Sequence, residues 1–171
     1  MIAIGVVIAV VWALGLLFFL ALFTAGANAD DLFEAIREKN PPDVAARMIG
    51  LYEWMMAQGA RTSGGTGATT PSVSLWLGED VDPERSNPVS VAITPESISI
   101  SVGYLIDGRP DRELARLAAL VRQVHGVAPY IDDLEACNYR HWRSMRPDRV
   151  LSSDEALDAW KRVLGEATRT A

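Results

Sequence analysis

Hydrophobic residues follow three different patterns along this chain. Residues 2–24 are apolar on every side and include no charged residue. Further on, apolar residues recur at helical spacing and predict an amphipathic helix over residues 42–58. From residue 72 the spacing of apolar residues changes to two. We therefore expect an apolar N-terminal segment, residues 1–29, followed by one folded domain, residues 30–171.

The segments with period two predict three strands. Small polar and apolar residues alternate in Ser72–Leu77, in residues 89–94 and in residues 98–104. Pro95-Glu96-Ser97 separates the last two segments and predicts a hairpin. Residues 60–71, "ARTSGGTGATTP", are rich in Gly, Ser and Thr, which is typical of a flexible linker. The pattern thus predicts a three-stranded antiparallel sheet.

Helical spacing returns after residue 109. One helix is predicted to begin at Pro110 and to end by Gly126. A second is predicted over residues 133–145, with Asp132 as its N-cap. The third follows the capping-box sequence Ser152-Ser153-Asp154-Glu155. Because the strands are grouped and helices flank them, the expected fold class is α+β, with about four helices packed on the apolar face of the sheet.

The distribution of charge separates the two predicted parts of the chain. All Asp, Glu, Lys and Arg residues lie at or after Asp30, so the net charge of −6 belongs to the predicted domain. A mildly acidic domain is unlike a general nucleic-acid binder, which carries a broad basic face. We therefore expect no nucleic-acid partner. Cys137 is the only cysteine, so no disulfide can form within the chain.

The apolar run has the length and composition of a transmembrane helix. As a helix, residues 2–24 would extend about 34 Å, against a hydrocarbon core of about 30 Å. Fifteen of these 23 residues are Leu, Ile, Val or Phe, and at about 0.3–0.6 kcal/mol each they favour insertion by roughly 5–9 kcal/mol. Gly5, Ala9 and Ala13 recur at four-residue spacing and predict a stripe for packing against another membrane helix.

The same N-terminus has one feature of a cleaved signal peptide. Ala27-Asn28-Ala29 has the small-x-small form of a cleavage site, which predicts a cut after Ala29. The absence of a basic residue before the run, and its excess length, favour a retained anchor instead. Arg37 and Lys39 follow the run, which slightly favours a cytoplasmic domain, whereas the cleavage motif favours export.

A cluster of arginines is the most unusual local composition in the domain. The segment 138–149, "NYRHWRSMRPDR", carries an arginine at every third position, with Trp142 between them: Arg140, Arg143, Arg146 and Arg149. On a helix this spacing would place Arg140 and Arg143 side by side, as a positive patch for a phosphate, a lipid headgroup or an acidic protein surface. The alternative is a solvated face neutralised by nearby acids. Trp76, on the polar face of the predicted sheet, is a second candidate for partner contact.

The sequence does not favour catalysis. Cys137, His125 and His141 are its only Cys and His residues, too few for a four-ligand zinc site. It has no G-x-S-x-G nucleophile motif and no phosphate-binding loop. We therefore predict no metal, cofactor or catalytic residue. The expected function is a single-pass membrane-anchored accessory or assembly subunit of a larger membrane protein complex. The alternatives are an exported, cleaved domain that binds an anionic ligand or partner through Arg140–Arg149, and a membrane-tethered enzyme.

Overall fold

The computed structural model describes residues 29–64, 70–78, 89–101, 111–138 and 143–168. Four strands lie in the described residues: β1 (Arg61–Gly64), β2 (Val73–Leu77), β3 (Val89–Thr94) and β4 (Ser97–Ser101). The helices are α1 (described over residues 29–39), α2 (Pro42–Ala57), α3 (Asp111–Val121), α4 (Ala128–Ala136), α5 (Pro147–Val150) and α6 (Asp154–Ala167). The predicted α+β fold class is confirmed.

The sheet is antiparallel throughout and has the strand order β1-β2-β3-β4. The prediction of three strands is wrong, because β1 makes a fourth. This strand occupies residues 61–64 of the predicted linker, 60–71, so the linker prediction is wrong for these four residues. The sequence of β1 is polar, so no alternation of apolar residues indicates a strand. It is a strand because it pairs with β2, with Thr62 opposite Leu75 and Ser63 opposite Ser74.

The core lies between one face of the sheet and the helices. The strand residues with period two supply that face, and all of the following are buried: Val73, Leu75, Leu77, Val89, Val91, Ile93, Ile98 and Ile100. Helix α2 packs on β2 through its predicted apolar stripe, which buries Met48, Leu51 and Met55. Helix α6 packs on both α2 and α3. The apolar face of the sheet is therefore covered as predicted.

Helix α1 belongs to this core. Its Leu32 and Ile36 side chains are buried in the main apolar cluster. The Asn40 side-chain amide donates to the backbone carbonyls of Ile36 and Pro95, at 2.9 and 2.7 Å. This residue thus joins the end of α1 to the turn between β3 and β4, and α1 is an integral part of the domain.

Helix α4 differs from the predicted helix at both ends. It begins at Ala128, with Pro129 in its first turn, where the missing N–H of proline costs no hydrogen bond. Asp132, the predicted N-cap, lies inside the helix. The helix ends at Ala136, and Asn138 adopts a positive φ of 50°. The predicted helix 133–145 is therefore wrong at residues 137–138 and 143–145, the described part of its second half.

Met145 explains why no helix continues to residue 145. Its backbone forms an isolated bridge with Ile98 of β4. The two N–H···O distances are 3.0 Å from Ile98 and 2.7 Å from Met145. The backbone of Met145 thus hydrogen-bonds to β4 at the edge of the sheet. Within an α-helix the same N–H and carbonyl groups would bond inside the helix instead.

The predicted last helix is confirmed as α6, with its N-cap shifted by one residue. Ser153, rather than Ser152, accepts the backbone N–H of Ala156 at 3.3 Å. The inner side of α6 is Trp160, Val163, Leu164 and Ala167, all of which are buried. Leu157 is half-buried.

None of the helices in the described part of the chain is both long and apolar enough to cross a bilayer. The predicted anchor, residues 2–24, lies outside the described residues, together with its proposed packing residues Gly5, Ala9 and Ala13.

Candidate functional site

The structure describes only part of the predicted arginine cluster. Arg140 and Trp142 lie outside the described residues. Arg143 lies in a non-helical segment, and Arg149 lies in α5. Because α4 ends at Ala136, the three-residue spacing no longer places these side chains on one helical surface. The described residues show that Arg143 is not helical, while the predicted pairing of Arg143 with Arg140 lies partly outside the described residues. Each described arginine has surroundings of its own.

Arg143 and Arg146 have local partners. The Arg143 guanidinium lies 3.9 Å from the Cys137 sulfur. Arg146 donates two hydrogen bonds to the Asp148 carboxylate, from Nε at 3.0 Å and from Nη2 at 2.6 Å. The hydrogen bond from Arg146 holds the pKa of Asp148 below its usual value. The positive charge of Arg146 is thus balanced by a neighbour in sequence, as the solvated-face alternative expects.

Arg149 instead lines a cleft of about 390 Å³ between two segments that are distant in sequence. One wall is formed by the turn between α3 and α4 and by the first turn of α4. The other wall is formed by α5 and the residues that follow it. The described residues that line the cleft are His125, Gly126, Pro129, Tyr130, Asp148, Arg149 and Ser152.

Backbone packing holds the two walls of this cleft together. Gly126 has a φ of 79°, and a Cβ at this position would lie 2.6 Å from the carbonyl oxygen of Arg149. Only glycine permits this approach. Behind the cleft, the buried Trp160 indole donates to the carbonyl of Val150 at 2.9 Å. The Arg47 Nε donates to the carbonyl of Leu151 at 2.7 Å.

The cleft contains more hydrogen-bond donors than partners for them. The side chains of His125, Arg149 and Ser152 are exposed and have no hydrogen-bond partner within the described residues. Half-buried Tyr130 also lines the cleft. The carboxylate of Asp148 is already bonded to Arg146 through both oxygens. The cleft therefore carries a guanidinium whose hydrogen-bond donors are unused in the described residues, next to the Asp148 carboxylate whose pKa it helps to lower.

Sequence reasoning identified Arg149 and missed the rest of this cleft. His125 and Tyr130 lie far from Arg149 along the chain, and no periodicity connects them. The single available signal was Gly126 next to His125, because an isolated glycine often marks a close approach of two backbones.

Trp76, the other predicted contact residue, lies on the sheet face opposite the helices. It is half-buried, opposite Arg61 and Ser90, and its indole donates to Ser63 Oγ at 3.1 Å. Ser90 on the same face is only 1% exposed, and its hydroxyl has no hydrogen-bond partner. This face is therefore not uniformly solvated, and the tryptophan is held by a strand neighbour.

A metal site has no support from the described geometry. Within the ranges that the structure describes, no three His, Cys, Asp or Glu residues are grouped so that they could hold an ion. His141 lies outside those ranges, and Cys137 follows the end of α4.

Comparisons with models of known protein families, with curated proteins and with solved structures found no match for this chain.

Proposed function

We propose that this protein is a single-pass membrane-anchored, non-catalytic accessory or assembly subunit of a larger membrane protein complex. The observation that carries the proposal is the uncharged apolar run of 23 residues, 2–24, immediately before the folded domain. The anchor would hold the α+β domain at the membrane surface, on the cytoplasmic side, where Arg37 and Lys39 lie close to the bilayer.

The energetics of the run favour the bilayer over the interior of the domain. Insertion is favoured by roughly 5–9 kcal/mol. A helix that covers a domain core needs only one apolar stripe and keeps a polar side for water. Residues 2–24 provide no polar side, so a membrane is the solvent that suits all of them.

The role of a subunit, rather than of a transporter or an enzyme, follows from the chemistry of the chain. One helix without charged residues cannot line a path for ions or polar solutes. Contacts with other subunits would then be made by the small residues Gly5, Ala9 and Ala13 in the membrane and by surface side chains such as Trp76. These contacts, with the lipid bilayer, define the partners that we propose.

A second candidate function is an exported domain released by cleavage after Ala29. The motif Ala27-Asn28-Ala29 favours it. So does the position of the first buried residue of the described chain, Leu32, which lies beyond the cut. The released domain would keep Leu32 and Ile36 and therefore its core. Its partner would be an anionic ligand or an acidic surface.

The two candidates differ in how the protein behaves in membranes. We would express the full chain, wash the isolated membranes with alkaline carbonate, and purify the retained protein in mild detergent. The accessory-subunit proposal expects retention after the wash and defined co-migrating proteins after purification. Retention with a solitary monomer in detergent would contradict the complex, and release by carbonate would contradict the anchor.

A substitution at the cleavage motif provides the matched control. Ala27→Leu replaces a small residue that signal peptidase requires. If the anchor is retained, this variant and the wild type behave identically in the carbonate wash. If the wild type is exported, only the variant stays in the membrane.

A further inference from the structure

We propose that the cleft between the α3–α4 turn and α5 binds a phosphate group, with Arg149 as its principal contact. The inference goes beyond membrane attachment and does not depend on it, because every residue that it uses belongs to the described domain. It uses one residue of the predicted arginine patch, Arg149, and takes the other wall of the site from a segment distant in sequence.

Charge is the first argument for an anion. The chain has a net charge of −6, yet this cleft holds a local positive excess. Arg146 and Asp148 neutralise each other through two hydrogen bonds. Arg149 has no ion-pair contact within 4 Å in the described residues, although its charge helps to lower the pKa of Asp148. One carboxylate therefore faces two guanidinium groups, which leaves one net positive charge among these three side chains. A phosphate would supply the missing negative charge.

The donor geometry favours phosphate among small anions. A guanidinium group offers two parallel N–H donors that match two oxygens of a phosphate. His125 and Ser152 add donors from opposite walls of the cleft, and Tyr130 adds a hydroxyl. A phosphate group presents several acceptor oxygens in different directions, so donors from both walls can bind it together.

The site is built before the ligand arrives. The contact of Gly126 with the Arg149 carbonyl fixes the distance between the walls, and the bond from Trp160 to Val150 anchors α5 to the core. Backbone walls held in this way lose little conformational freedom on binding, so the ordering cost falls on the exposed side chains of Arg149, His125 and Ser152. Its volume, about 390 Å³, lies near the lower end of the range for small-molecule sites. It suits a single phosphorylated group rather than a polymer.

The phosphate group could belong to a free small molecule or to a lipid headgroup, so the test has two arms. The full chain would be reconstituted in phosphatidylcholine nanodiscs and titrated with inorganic phosphate by isothermal calorimetry. In the second arm, the same protein would be mixed with vesicles that contain phosphatidic acid, with and without competing phosphate. Binding in the first arm alone assigns the site to a soluble ligand, and binding in the second alone assigns it to a lipid. Both outcomes support the site, whereas binding in neither arm overturns it.

Matched variants locate the binding. Arg149→Gln should weaken phosphate binding by at least about tenfold, since it removes a charge-assisted pair of hydrogen bonds. Arg162→Gln removes an exposed arginine of α6 that does not line the cleft and should leave the affinity within about twofold. Equal effects of the two variants would show that only net charge matters and would overturn the proposal.

A third variant keeps the proposal testable if Arg149→Gln fails to fold. Ser152→Ala removes one neutral donor from an exposed side chain and should weaken binding by about threefold. Circular dichroism would establish that each variant is folded. If Arg149→Gln does not fold, an unchanged affinity in Ser152→Ala is the result that contradicts the proposed cleft.

Discussion

Helix α6 and the apolar run over residues 2–24 are both rich in large hydrophobic residues, but these residues are distributed differently. Helix α6 turns Trp160 and Leu164 into the core and keeps charged residues such as Glu155, Arg162 and Glu166 outside. The run has no charged residue on any side. A helix that is apolar on one side can bury that side in a protein interior and expose its other side to water. Sequence that is apolar all round requires an apolar solvent, so the two regions carry different information: α6 about the fold, the run about location.

The largest expected effect comes from placing charge in the run. Leu14→Arg with Leu17→Arg should disfavour membrane insertion by roughly 6–8 kcal/mol, because each arginine replaces a favourable residue near the centre of the bilayer. The variant should be lost from carbonate-washed membranes. The same two charges at the exposed Gln58 and Gln123 should leave retention unchanged. Retention of the first variant in the membrane would contradict the claim that the run, unlike α6, is surrounded by lipid.

The inner side of α6 should dominate the stability of the domain. Trp160→Ala removes a fully buried ring and its hydrogen bond to Val150, and should lower the free energy of unfolding by about 3–5 kcal/mol. Glu166→Ala on the outer side should change it by less than about 0.5 kcal/mol. Urea unfolding in mild detergent, followed by circular dichroism, measures both. Similar losses for the two variants would contradict the one-sided account of α6.

Two glycines with similar backbone conformations test how closely α5 is packed. Gly126 and Gly59 have φ values of 79° and 83°. A Cβ at Gly126 meets the Arg149 carbonyl oxygen, whereas one at Gly59 meets nothing within 4 Å. Gly59→Ala should therefore cost about 1 kcal/mol of unfolding free energy, from backbone strain alone. Gly126→Ala should cost about 3 kcal/mol, from strain and collision together. Equal losses would contradict the close contact of the cleft walls.

The smallest effect concerns an exposed ion pair at the start of α2. A hydrogen bond from Arg47 holds the pKa of Asp43 below its usual value of 3.8. Since the folded state has the lower pKa, this pair stabilises the fold at pH values above about 4. The contribution is lost as the pH falls through the folded-state pKa.

Melting temperatures between pH 5 and pH 3 measure this contribution. Asp43→Asn should reduce the fall in melting temperature over this interval, and by much less than Trp160→Ala lowers the melting temperature at neutral pH. Asp133→Asn, at an exposed aspartate of α4 that has no hydrogen-bonded partner within the described residues, is the control. A steeper fall in Asp43→Asn than in the wild type would contradict the sign of the effect.

Periodic burial explains which elements could be predicted. The β2, β3 and β4 strands and helices α2 and α6 each place apolar residues on one side, and the structure buries those sides. Strand β1 could not be predicted in this way, because its polar residues lie at a sheet edge and only pairing with β2 defines them. The end of α4 was missed because Met145 pairs with Ile98, a contact between residues far apart in sequence.

The candidate site was harder to predict than the fold, because it depends on contacts between residues that are distant in sequence. Arg149 stands out in composition, but its neighbours in the cleft come from the turn between α3 and α4. The regular spacing of the arginines did not indicate these neighbours, because Arg143 and Arg149 lie outside α4 and the spacing has structural meaning only within one helix. The approach of Gly126 to the Arg149 carbonyl brings the two segments together, and it depends on backbone geometry that no local pattern records.

The intact mass of the protein recovered from its native membranes tests the central claim most directly. A retained anchor predicts the full 18.6 kDa chain, with residues 1–29 present, in the carbonate-washed membrane fraction. A chain that begins at Asp30 and is found in the soluble fraction would contradict the proposed membrane subunit and would support the exported domain.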